Sequence, residues 1–166
     1  MSGARIAIAL FVLLLLQSSL IPFLNLPLAR PDLVLILTIY VGLVSAHEKG
    51  TLAGFFAGVG QDAFSGQIPG LHSFAKSIVG FLCPTLRRFV MVPSLFVQLV
   101  AVALFTALHA MILFWMGDAI RPRSSELGAM GFFSATAVPQ IVSNLVFSLG
   151  LYPILRRALP IPEDSR

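Results

Sequence analysis

The sequence predicts an all-α integral membrane bundle of six transmembrane helices, and three features support this prediction. Apolar residues make up 57% of the 166 residues. Charged residues make up only 11%, against about 25% in ordinary soluble domains. The apolar residues also fall into long runs, and about 20 such residues cross the hydrocarbon core of a bilayer. A chain with so few charges cannot cover a soluble domain of this size, so its solvent is expected to be the lipid bilayer.

The predicted spans follow from the apolar runs and from the turn residues between them. Pro31 and Asp32 open the second span, because proline lacks the N–H that stays unpaired at a helix start and a carboxylate stabilises the positive end of the helix dipole. Pro84 and Pro139 fall within later runs and are expected to kink them. A single transmembrane domain, residues 1–166, thus contains spans at residues 5–23, 32–46, 50–64, 71–86, 95–116 and 127–155.

The basic residues predict the orientation of these spans, because cytoplasmic loops carry an excess of Lys and Arg. Six spans place both termini on one side. If that side is the cytoplasm, the outer loops hold only Arg30, Arg121 and Arg123. The inner segments then hold Arg5, Lys49, Arg87, Arg88, Arg156, Arg157 and Arg166. Five spans would put the basic tail outside, so six spans with cytoplasmic termini are favoured.

The charge and the cysteine content exclude other classes of protein. The net charge is +4, but the basic residues are scattered and form no stripe of the kind that binds nucleic acid. Cys83 is the single cysteine, so it cannot form an internal disulfide, and it is expected to be a small buried hydrophobe. The apolar run after Arg5 resembles a signal peptide but is long for one, and cleavage is not expected.

A ladder of glycines marks the third span. Gly50, Gly54 and Gly58 are four residues apart, so they share one helix face on which another backbone can approach closely. This face has two possible uses, which the sequence leaves open. It packs inside the chain's own bundle, or it contacts a separate partner. Either use places the third span centrally.

Polar residues surround the loop after this span. Lys76 falls within the fourth span, where a charge costs about 3 kcal/mol and therefore needs a partner. Asp62, across a short loop, is the predicted partner, and Asp32 is the second candidate. Asp62, His72 and Lys76 lack an accompanying nucleophile, and the three histidines have no metal-ligand spacing. Structural pairing is therefore favoured over catalysis, and neither a metal nor a cofactor is expected.

These elements together resemble a known family. The pattern consists of Arg30-Pro31-Asp32-Leu33, the glycine ladder, Gly60-Gln61-Asp62, Gly66, Pro69-Gly70-Leu71-His72, Lys76 and Gly80. In order and spacing it is similar to the MreD family, the rod shape-determining membrane proteins of bacteria. The resemblance is specific between about residues 31 and 81.

The resemblance implies a non-catalytic component of the cell-elongation complex in the bacterial inner membrane. Such a protein is expected to bind MreC, near RodA and a class B penicillin-binding transpeptidase, and to help position lateral peptidoglycan synthesis. Its fold is expected to be similar to the substrate-binding subunits of energy-coupling-factor transporters. The predicted residues for partner binding or bundle packing are Gly50, Gly54, Gly58, Asp62 and His72.

The alternative function is a membrane-embedded subunit that binds or transports a small molecule. The interior distinguishes the two, because a carrier needs a roomy pocket with converging polar groups. A scaffold is expected to have its interior filled by side chains.

Overall fold

The computed structural model describes residues 3–20, 30–66, 68–87, 94–120 and 131–160, and these ranges contain helices and turns but no strand. We number the helices in chain order. They are α1 (Gly3–Leu15), α2 (Leu33–Val44), α3 (His47–Ser65), α4 (Leu71–Arg87), α5 (Leu95–Ile120) and α6 (Val138–Ala158). A π-helical segment, Leu16–Leu20, continues α1, and another, Phe133–Ala137, precedes α6. The predicted all-α architecture is confirmed for the described ranges.

Among the described residues, two stretches are long and apolar enough to cross a membrane: α5, and the continuous run Phe133–Ala158, each of 26 residues. The first helix with its π-helical segment and α2 are shorter apolar helices. Predicted span ends at residues 21–23 and 127–130 lie outside the described residues. So do four of the basic residues used for the orientation, namely Arg88, Arg121, Arg123 and Arg166.

The two prolines that were expected to kink their spans occupy different positions. Pro84 lies inside α4, which continues to Arg87. Pro139 lies in the first turn of α6, directly after the π-helical segment that ends at Ala137. A proline ring clashes with the carbonyl four residues earlier. The carbonyl four residues before Pro139 belongs to this π-helical segment, whose turn is wider than that of an α-helix. The kinks at Pro84 and Pro139 stay predictions.

The central element is α2, whose twelve residues are all buried. It packs against each of the other five helices. A helix that is apolar on every side is stable only when it is surrounded. One apolar cluster joins α2 to α1, α3 and α6, and includes Tyr40, which donates a 2.8 Å hydrogen bond to the carbonyl of Leu159. A second cluster joins α2 to α4 and α5, and it contains Cys83, which is buried as expected.

The hairpin of α3 and α4 forms the closest helix pair. A Cβ atom added at Gly50, Gly54 or Gly58 would lie within 3.0 Å of backbone atoms of α4. Gly80 of α4 faces the Gly50 backbone in the same way. The glycine ladder is therefore occupied by a neighbouring helix of the same chain, which is the first of the two uses that the spacing allowed.

Candidate functional site

The buried ion pair joins Lys76 of α4 to Asp32, the residue before α2. The Nζ atom of Lys76 donates to Oδ2 of Asp32, and the side chains are 0% and 2% exposed. The other carboxylate oxygen, Oδ1, accepts a 2.8 Å hydrogen bond from the Leu35 N–H and so caps α2. The predicted direct pairing of Lys76 with Asp62 is not what the structure shows. The second candidate, Asp32, is the partner.

Asp62 has a different task, which explains why it is not the partner of Lys76. Its carboxylate accepts hydrogen bonds from the backbone N–H groups of Gly70, His72 and Ser73, at 3.0, 3.0 and 3.1 Å. The Ser73 hydroxyl donates another at 2.6 Å. The first N–H groups of a helix have no partner within it and attract a negative charge. Asp62 in the last turn of α3 therefore caps α4 across the loop.

A second set of hydrogen bonds ties α6 to this ion pair. Asn144 Oδ1 accepts from the backbone N–H of Asp32 at 2.7 Å, and Asn144 Nδ2 donates to Thr106 Oγ1 of α5 at 3.0 Å. Gln17 Oε1 accepts a hydrogen bond from the Val34 N–H at 3.1 Å. This bond connects the π-helical segment after α1 to the start of α2. Sequence reasoning missed Asn144 and Gln17. The available signal was an amide side chain within a mostly apolar predicted span.

Replacing Asn144 with leucine is expected to destabilise the protein by about 1 to 2 kcal/mol. The change removes two interhelical hydrogen bonds, each worth about 0.6 kcal/mol in membrane proteins, and leaves the buried Thr106 hydroxyl without its donor. Chemical denaturation in detergent measures the loss. Val142→Leu, on the exposed side of the same helix, is the control and should unfold like the wild type. Equal stability of Asn144→Leu and the control would contradict the assigned bonds.

Two histidines lie next to the ion pair. The rings of His72 and His109 stack with their centroids 5.8 Å apart, and both side chains are buried. Nδ1 of His72 and both ring nitrogens of His109 have no hydrogen-bond partner among the described residues. Within those residues, no three His, Cys, Asp or Glu side chains are grouped so that they could hold a metal ion. The histidine pair therefore places three buried ring nitrogens, which can each donate or accept a hydrogen bond, next to the ion pair.

A polar cavity of about 480 Å³ opens beside these groups. It lies where α1 and α3 end and where α2 and α4 begin, and we call this end of the bundle the polar end. Buried Asp32 and His72 line the cavity, and so does Gln61, whose Oε1 atom has no partner among the described residues. Other polar lining residues in the described part of the chain are Gln17, Ser18, Arg30, Ser65 and Gln140. Hydrogen-bonding groups from the π-helical segment that continues α1, from α3, α4 and α6, and from the residue that precedes α2, therefore converge on one open space.

The sequence profile of the family described as rod shape-determining protein MreD matches residues 4–159, nearly the whole chain. The chain belongs to the MreD family. Its role is therefore the determination of rod shape. No curated protein and no solved structure matches the chain.

In this member of the MreD family, the residues of the recognised pattern meet in space. Asp32 opens α2, while Asp62, His72 and Lys76 belong to the α3–α4 hairpin. All four lie at or next to the polar end, because the ion pair brings the start of α2 against α4. Gly50, Gly54 and Gly58 lie apart from the cavity, along the α3–α4 contact. The predicted site residues thus fall into two groups, one polar and one for packing.

Proposed function

We propose that this MreD-family chain is a non-catalytic component of the bacterial cell-elongation complex. It crosses the inner membrane six times with both termini in the cytoplasm, binds MreC, and helps to position lateral peptidoglycan synthesis by RodA and a class B penicillin-binding transpeptidase. The observation that carries the proposal is the family match over residues 4–159. In this orientation the polar end faces the outside of the cell.

The distribution of side chains supports a bundle immersed in lipid. Large apolar side chains are exposed on the outside of the helices, among them Phe11 of α1, Phe55 of α3 and Phe81 of α4. The charged pair of Asp32 and Lys76 is buried inside. Ionisable residues within membrane helices face the bundle interior in this way. A water-soluble bundle of this size is expected to show the opposite distribution.

The polar end is the better candidate surface for MreC. The glycine face, where partner binding was one expectation, is filled by α4. The cavity, by contrast, is lined by the polar side chains of Gln17 and Gln140 and by the charge of Arg30. These groups suit an extended polar segment of MreC next to its own membrane span, because such a segment brings backbone donors and acceptors. The proposed contact therefore lies at the outer face of the membrane.

Filling the cavity is expected to abolish co-purification with MreC. Ser18 lines the cavity within the first π-helical segment, and its hydroxyl donates to the carbonyl three residues earlier at 3.2 Å. Ser134 occupies the second π-helical segment and donates in the same way at 3.1 Å, but it does not line the cavity. Ser18→Trp should lose MreC in a detergent pull-down, because the indole occupies the space. Ser134→Trp is the matched control and should retain it.

Two outcomes decide the question. Loss of MreC with Ser18→Trp alone, accompanied by loss of rod shape in cells, supports the assignment. Equal capture of MreC by both variants and the wild type would show that the cavity is not the contact. Crosslinks from MreC to residues lining the cavity give an independent measurement.

The same cavity supports the second candidate function, a subunit that binds a small polar molecule. Its volume of about 480 Å³ lies within the range of about 300 to 1,000 Å³ that is typical of ligand pockets. Towards the middle of the bundle, however, the interior is filled by α2 and by the ion pair, so the space for a ligand is confined to the polar end. A molecule that co-purifies with the wild type and is missing from Ser18→Trp in mass spectrometry would favour this candidate.

A further inference from the structure

A second concavity lies on the outside of the α3–α4 hairpin, where the polar cavity does not reach. It is a groove of about 590 Å³. Its apolar walls include Phe55, Val59 and Ala63 of α3 and Phe74 of α4, while Asp62 and Ser73 lie at one end. The groove thus combines an apolar body with a polar, negatively charged end. This combination is complementary to a phospholipid whose headgroup carries a positively charged group.

On this side of the bundle, α4 begins well below the level at which α5 ends and the π-helical segment before α6 begins. His72 is the second residue of α4, and it stacks on His109, which is eleven residues before the end of α5 at Ile120. At 1.5 Å per residue, α5 continues for about 16 Å beyond the level of His72. The pairing of Asn144 with Asp32 gives the same offset for α6, since its π-helical segment begins at Phe133, eleven residues earlier.

The part of α5 that extends beyond His109 is mostly apolar, with Asp118 near its end, and several of its side chains are exposed. Trp115, six residues after His109, is 61% exposed. Tryptophan is typical of the membrane–water interface, so the hairpin end lies about 9 Å below that level. A lipid beside the hairpin must therefore lower its headgroup to reach the polar end, because the apolar surface there is short.

Asp62 supplies the charge that would hold such a headgroup. None of the basic side chains in the described ranges forms an ion pair with it, and Lys76 is held by Asp32. Its hydrogen bonds come from neutral N–H and O–H groups, and Oδ1 accepts only one of these, from His72. That oxygen can accept a further hydrogen bond. A primary ammonium group supplies both the donor and the positive charge.

We infer that the groove holds an acyl chain of an outer-leaflet phospholipid whose headgroup carries a primary ammonium group, bound to Asp62. The inference depends on the proposed membrane arrangement, because that arrangement puts the hairpin end in the outer leaflet. Bound lipid of this kind lowers the membrane surface beside the hairpin, next to the proposed binding face for MreC.

Native mass spectrometry of the purified full-length protein tests the inference. The probes are phosphatidylethanolamine and phosphatidylglycerol with identical acyl chains, added in equal amounts. The wild type should retain phosphatidylethanolamine with a several-fold preference. Val59→Trp should lose the bound lipid, because the indole fills the groove. Val146→Trp on α6 is the matched control, since Val59 is 44% and Val146 57% exposed, and it should retain the lipid.

Asp62→Asn separates the headgroup from the acyl chain. Asparagine keeps an acceptor for the first N–H groups of α4, so the helix keeps a cap while the negative charge is lost. This variant should bind both lipids equally. Thermal unfolding in detergent shows whether each variant is folded. The lipid preference of the wild type tests the inference even if a variant does not fold. Equal retention of both lipids by the wild type, or unchanged retention by folded Val59→Trp, would overturn the inference.

Co-purification with MreC, measured on the same samples, distinguishes this inference from the proposed function. Wild-type protein that captures MreC but shows no lipid preference refutes only the lipid site. Protein that prefers phosphatidylethanolamine but never captures MreC refutes only the MreC contact.

Discussion

Lys76→Met is expected to destabilise the bundle by about 3 to 5 kcal/mol, the usual cost of removing one partner from a buried ion pair. The methionine side chain fills a similar volume, so packing is largely kept. The carboxylate of Asp32, however, remains 2% exposed and loses the only cation that pairs with it among the described residues. Its remaining hydrogen bond from Leu35 does not replace that charge.

A double variant identifies the cause of this loss. Asparagine is among the best capping residues, so Asp32→Asn preserves the acceptor for the Leu35 N–H while removing the negative charge. Asp32→Asn combined with Lys76→Met should therefore recover much of the lost stability, because no unpaired charge remains inside. The measurement is the free energy of unfolding of the wild type, both single variants and the double variant in the same detergent.

The control uses the carboxylate that sequence reasoning favoured. Asp62→Asn combined with Lys76→Met should show no recovery, since Asp62 caps α4 and does not pair with Lys76. Recovery in this second double variant, rather than in the first, would refute the Asp32–Lys76 pair.

The helices could be predicted from the sequence because each depends on local information. Apolar runs, together with turn residues such as Pro31 and Gly70, place α2 and α4 to within a few residues. Asp32 was expected at the start of α2, and its carboxylate caps that helix in the structure. Such signals lie within one or two turns of the residue that they affect.

The partner of Lys76 could not be predicted, because two local rules compete for Asp62. Proximity across the loop favours pairing Asp62 with Lys76, whereas the unpaired N–H groups of α4 also attract that carboxylate. Capping prevails, and the lysine then takes a carboxylate 44 positions away. Asn144 is 112 positions from Asp32, and that contact depends on the rotation of α6 about its axis. A helix that is apolar on nearly every side gives no periodic signal of its rotation.

The glycine ladder illustrates a further limit. Spacing of four residues shows that Gly50, Gly54 and Gly58 share a face, but the same spacing serves an internal and an external neighbour equally well. Only the arrangement of α3 against α4 distinguishes the two. This distinction changes the expected effect of a substitution on that face.

Gly54→Leu is expected to abolish the folded state of the hairpin, which is a larger effect than a lost partner contact. A Cβ atom at residue 54 would fall within 3.0 Å of the carbonyl group of Lys76. Backbone atoms cannot rotate out of the way as a side chain can, so α3 and α4 must separate. Separation also moves Lys76 away from Asp32. Even Gly54→Ala should cost about 1 to 3 kcal/mol, the usual cost of overpacking.

Gly150→Ala in α6 provides the matched control, because no described atom outside the helix's own backbone turn lies within 4 Å of the added Cβ. Alanine is the better helix former, so this variant should be more stable by about 0.5 kcal/mol. MreC captured by the Gly54 variants should fall in proportion to their folded fraction, measured by thermal unfolding in detergent. A Gly54→Leu protein that folds as stably as the wild type but captures no MreC would mean that the glycine face itself binds the partner. In that case α4 would have to leave this face when MreC binds.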